Sequence, residues 1–113
     1  MPQFAVLIYE KEIPFEDIPP EVLEAHGEVP EKIEKAGGQL TAGFAADSAS
    51  AARSVRGDKV TEGAFYDVTQ QLSGFFVIEA RDIDHAVELA KFVPIVDGGV
   101  EVRPLLEGPP EEE

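Results

Sequence analysis

Of the two histidines in this 113-residue sequence, His26 is the one whose position suits proton transfer near neutral pH. It lies four residues after Val22 and three before Val29, on the apolar stripe of an expected helix, so its ring is aimed at whatever that helix covers. Beside a cleft it would act as general base or acid; packed in a core it would need one hydrogen-bond partner and do no chemistry. Position alone leaves both readings open. His85 falls on the side of its helix opposite Ile83 and Val87 and is expected in solvent. Tyr9 and Arg103, at the ends of expected strands, could reach into a cleft and bind an anion, although a lone Arg in an acidic chain also suits an ion pair. Phe75 and Phe76 must point to opposite faces of their strand, one toward helices and the other toward a ligand space or a subunit seam. Cysteine is absent and His26-Gly27-Glu28 lacks the H-E-x-x-H spacing, so no structural zinc set is expected. Without a P-loop, a G-x-G-x-x-G after a strand, or a G-x-S-x-G, the sequence gives no anchor for a nucleotide cofactor or a serine nucleophile. No cofactor is therefore expected.

The elements that must hold these residues can be read from the apolar pattern. Phe4 to Tyr9 is a short continuous apolar run closed by Glu10-Lys11-Glu12, the pattern of a strand buried on both faces. A proline-interrupted acidic loop leads to a helix over Glu21 to Ala36, with Pro20 near its first turn and Gly37-Gly38 as its stop. Pro30 cannot donate to the carbonyl of His26, which predicts a kink or a split beside that residue. Gln39 to Ala46 is extended. Ser54 to Thr61 reads as a hairpin around Gly57-Asp58 with a type II′ turn. Leu72 to Ala80 is a further two-faced strand, and Asp82 caps a helix whose expected stripe is Ile83, Ala86, Val87, Ala90 and Val93. Val100 to Leu105 alternates as a last strand, and the tail 108–113 has nothing to bury and is expected to be a disordered acidic segment.

The order is β-α-β, a hairpin insertion, then β-α-β, the split βαβ pattern of an α+β, ferredoxin-like domain spanning residues 1–107, with an antiparallel sheet and two helices on one face. Two helices cover one face of such a sheet, yet the runs at 4–9 and 75–78 carry apolar side chains on both. The second face needs a cover, and the simplest is the same face of another copy, giving a homodimer. A formal charge of -14 repels phosphate backbones and anionic lipid heads, so neither nucleic acid nor a membrane surface is expected as a partner. Cysteine-free composition and the lack of any long apolar run make the cytoplasm the default location.

Phe4 to Tyr9, Ala25-His26, Gly43, the segment Val60-Thr61-Glu62-Gly63-Ala64-Phe65, the run Gln71 to Ala80 and the ending Val100 to Leu105 together resemble the YCII-related, or DGPF-domain, proteins. The most specific stretch is Val60 to Ala80, where that family typically reads V-T-D-G-P-F and then L-G-G-F before an apolar strand; here Glu62 and Ala64 replace its Asp and Pro. The resemblance implies a dimeric α+β barrel of two ferredoxin-like protomers. It also implies a histidine after an alanine in the first helix, which His26 matches, with Glu62 or Asp47 as the carboxylate to orient it. Related dimeric barrels include lactone isomerases and a dehydrochlorinating lyase. The motif further suggests Phe65 as a plug or pocket wall, and a turn at Gly63 that needs positive φ or close approach.

Two functions follow as expectations. One is a lyase- or isomerase-type enzyme on a small molecule, with His26 as proton shuttle, Glu62 or Asp47 as its carboxylate, and Tyr9, Phe65, Phe75 and Arg103 as ligand contacts. The other is a non-catalytic dimeric module that binds a small ligand or another protein. A carboxylate oxygen bonded to the His26 ring would favour the first; none, or a backbone carbonyl in its place, would favour the second.

Overall fold

A computed structural model describes residues 1–106; the expected tail at 108–113 lies outside the described residues. Six strands and two α-helices run in the order β1 (Gln3–Lys11), α1 (Pro20–Lys35), β2 (Gln39–Ala45), β3 (Arg53–Arg56), β4 (Lys59–Glu62), β5 (Gln70–Glu79), α2 (Ile83–Ala90) and β6 (Gly98–Pro104). Four of the strands form one antiparallel sheet in the order β2-β5-β1-β6, and β3 and β4 pair only with each other. With the hairpin set aside, this is the ferredoxin-like arrangement that the sequence predicts: the two most apolar strands lie at the centre, paired along their length.

Strand parity divides the sheet. Phe4, Val6 and Ile8 of β1 and Ile78 of β5 face the helices, where they are buried with Val29 and Ile33 of α1 and Ala86, Leu89 and Ala90 of α2. Phe76 packs against this core, and Phe75 points the other way, its ring 5.3 Å from that of Phe44. Ala5, Leu7 and Val77 share the Phe75 face and stay half-buried, and Phe44 is 62% exposed. Among the described residues no helix covers this face. Across 46 × 40 × 19 Å the described chain is a slab two layers thick, with one broad side apolar and open.

Two elements differ from their sequence reading. Helix α1 runs unbroken through Pro30, which is exposed on the side away from the sheet; the helix loses the bond to the His26 carbonyl but is not split. In α2 the buried face is His85, Ala86, Leu89, Ala90 and then Val93, and Ile83 and Val87 are exposed at 41% and 38%. The stripe is turned by part of a helical step, and His85, placed in solvent on sequence grounds, is 7% exposed. The reason is polar satisfaction. Its Nδ1 accepts from the backbone N–H of Arg81 at 3.0 Å, and its Nε2 lies 2.9 Å from the carbonyl of Ala36 at the end of α1. An N–H donor on one side and a carbonyl on the other require the neutral ring with its proton on Nε2. Asp82 caps α2 as expected, accepting from the His85 N–H at 2.8 Å.

The hairpin turn matches its prediction: Gly57 has φ 65° and Asp58 has no positive φ, the combination of a type II′ turn. Gly63 has φ 101° with open space where a Cβ would be, so its requirement is conformational and not one of close packing.

Candidate functional site

The first long cleft lies on the helix-covered side, at the end of the sheet where β1 leaves the core. About 480 Å³ in volume, it is bounded by α1 through His26 and Val22, by β1 through Glu10 and Glu12, and by the segment after β2 through Asp47 and Ser48. Such a volume suits a small organic molecule.

Each wall has a local cause. Residues Phe4, Val6 and Ile8 set an even-numbered face toward the helices, and Glu10 and Glu12 continue that parity beyond the apolar core. Ser73 arrives through a β-bulge: Ile8 pairs with Gly74 but Tyr9 pairs with Leu72, so Ser73 is the extra residue and its side chain turns to the cleft. There its hydroxyl donates to Glu10 Oε2 at 3.1 Å, while Glu10 Oε1 accepts from the Val96 N–H at 3.4 Å. Glu12 holds the far wall, accepting from Ser48 Oγ at 2.9 Å and from the Ala49 N–H at 2.6 Å. Asp47 Oδ1 accepts from the Ser48 N–H at 2.7 Å. These bonds fix the segment 47–49 against the strand end, where Ser48 caps a short 3-10 turn over Ala49–Ala51.

His26 is half-buried on the cleft wall, and its ring makes no hydrogen bond to another described residue. Both ring nitrogens are open to whatever occupies the space. The carbonyl of His26 lacks its usual helical donor because the residue four on is Pro30. The same turn of α1 therefore offers the cleft a titratable ring and deprives its own carbonyl of the donor four residues on.

The expected site residues divide. His26 and Asp47 line one cleft; Glu62, exposed on β4, lines neither of the two clefts described here. Tyr9 and Phe65 meet in the second cleft, about 380 Å³, on the opposite side of the sheet, with Tyr66, Val68 and Leu72 as further walls. Asp47 and Ser48 border both clefts, so the segment after β2 forms the divide between them. Phe75 sits on the uncovered face against Phe44, outside both clefts. Arg103 is exposed and paired with Glu101, whose hydrogen bond and charge raise the guanidinium pKa further above its usual value. Sequence reasoning missed Glu10, Glu12, Ser48 and Ser73. The even parity of Glu10 and Glu12 with Phe4, Val6 and Ile8 was the available signal; the bulge that turns Ser73 had none.

Among the described residues no group of three His, Cys, Asp or Glu side chains is placed to hold a metal ion, and no helix is long and apolar enough to cross a membrane. The family model of the YCII-related domain matches residues 3–108. The chain belongs to the YCII-related family. That match covers the whole four-stranded sheet, both helices and the hairpin, so both clefts are built from the YCII-related domain itself. No curated protein matches this YCII-related chain.

Proposed function

We propose that the cleft beside His26 binds a small organic molecule and that His26 exchanges a proton with it, in a reaction of the lyase or isomerase type. The observation that carries this is the ring itself, which reaches the cleft with neither nitrogen bonded to another described residue. A proton taken from one carbon and returned to another, or lost with a leaving group, needs a base of near-neutral affinity and a polar pocket. Asp47, with one oxygen occupied by Ser48, has a second oxygen to offer a polar group of the ligand or the imidazolium formed during transfer. Glu62 has no part in this scheme. A homodimer through the uncovered face belongs to the same proposal, supported by the half-buried Leu7, Phe75 and Val77 beside exposed Phe44.

A direct test incubates the protein with a metabolite extract in D₂O and follows loss of C–H signals by proton NMR. Wild-type protein should exchange or convert at least one component, and His26→Ala should not. A second reading, a module that binds and releases its ligand unchanged, is favoured by one observation: among the described residues no carboxylate oxygen bonds to the His26 ring to fix its tautomer. Components that broaden or shift on binding with no exchange or conversion would establish this second reading and defeat the first.

A further inference from the structure

Strands β3 and β4 form a two-stranded ribbon, four residues to a strand, that pairs with no other strand among the described residues. Ribbons of that size are marginal alone in water. This one nevertheless exposes the cross-strand pair Val55 and Val60 at 59% and 62%. The loop that follows exposes Phe65, Tyr66 and Val68 at 48%, 69% and 54%.

That loop is not slack. Arg56 donates to the Phe65 carbonyl at 2.7 Å and lays its guanidinium 3.9 Å above the Phe65 ring. Gln71 Nε2 bridges the carbonyls of Tyr66 and Val68 at 2.9 and 2.8 Å. Buried Ser54 ties the ribbon to the loop through the Gly63 carbonyl at 2.7 Å. Aromatic side chains held in place while facing water have had their ordering cost met in advance, which is how a binding surface is prepared.

Two observations identify the occupant. The second cleft, at the root of the ribbon, joins Phe65 and Tyr66 to Tyr9 and Leu72, which pair with each other and lie on the uncovered sheet face. The ribbon's apolar surface is therefore continuous with that of the open sheet. Second, Arg53, Arg56 and Lys59 balance Asp58, Glu62 and the loop's Asp67, so ribbon and loop together carry no net charge on a chain of charge -14. A surface that matches the grease of the open face and carries no net charge to repel an acidic body suits another copy of this chain.

We infer that the β3–β4 ribbon and the loop 63–69 act as a clasp on a second copy, whose body roofs the second cleft and turns it into a closed pocket to which both chains contribute. The inference rests on the homodimer proposed above. Two negatively charged bodies repel, and the three cations of the ribbon keep this one patch free of net charge, so that the apolar faces can meet there.

The test compares two double variants of the full chain by sedimentation over a dilution series. Arg53→Glu with Lys59→Glu reverses the clasp; Lys35→Glu with Lys91→Glu changes net charge equally on the helices, where both lysines are exposed. The clasp variant should raise the dimer dissociation constant by about tenfold or more over the helix variant. Equal effects from the two would overturn the clasp and leave the dimer standing; a monomeric wild type at high concentration would overturn both. Amide exchange of the wild-type ribbon, measured dilute and concentrated, gives a readout free of any variant's folding. Slower exchange at high concentration supports the clasp, and unchanged exchange in a sample that sediments as a dimer refutes it.

Discussion

The two histidines of this chain occupy opposite kinds of site, one at the C-terminal end of α1 and one midway along it. His85 reaches the C-terminal end of that helix from α2 and is closed in by backbone groups on both nitrogens. His26 sits in the middle of the helix and lines a cleft with neither nitrogen bonded to another described residue. One ring is a structural strut with a fixed tautomer, and the other is available to a ligand. The difference comes from the neighbours and not from the residue type. Where a helix ends, its last carbonyls and the next segment's N–H groups need partners, and an imidazole with one donor and one acceptor satisfies both.

The largest way to test this contrast is His85→Ala. It should destabilise the fold by about 2–4 kcal/mol, because it opens a cavity and strands a buried donor and acceptor. Urea unfolding followed by circular dichroism would measure it; a loss below about 1 kcal/mol would mean that water replaces the ring without penalty. Asp82→Ala comes next. It removes the cap that accepts the His85 N–H at 2.8 Å and should cost about 1 kcal/mol.

The contrast also marks where the sequence could be read and where it could not. The two-faced strands followed from apolar runs at 4–9 and 75–78, since continuous runs of that length have few other uses, and the ferredoxin-like sheet followed from the order of the elements. His26 was found from helical spacing, as was the cap at Asp82. His85 was misplaced because hydropathy assigns a polar side chain to water unless its partners are known. Those partners are the carbonyl of Ala36 and the N–H of Arg81, the first of them 49 positions away in the chain. The same blindness applies to Ser73, whose direction depends on a one-residue slip between β1 and β5 that no local pattern announces. Glu62 was an expected partner for His26 because of its motif, but β4 belongs to the separate ribbon. What was legible depends on local periodicity; what was not depends on which distant backbone groups are left needing a partner.

A sharper test uses nitrogen NMR of the two rings. His85 should show one tautomer, protonated at Nε2, with that proton protected from exchange by the Ala36 carbonyl. His26 should show both tautomers in fast exchange, and a cleft ligand should select one of them. Two averaged rings would dissolve the distinction.

The smallest expected effect concerns stability, and it bears most directly on function. His26→Ala should change the unfolding free energy by no more than about 0.5 kcal/mol, since a half-buried ring without hydrogen bonds contributes little packing. Its effect on ligand chemistry should be large, because the same lack of engagement that makes the ring dispensable for folding leaves it free to work. If the variant instead unfolds as readily as His85→Ala, the ring is a packing element, and the cleft it lines has lost its reason to be a reaction site. A stable variant that still converts the wild-type substrate would sever the link differently, placing the chemistry on Asp47 or the carboxylates of β1.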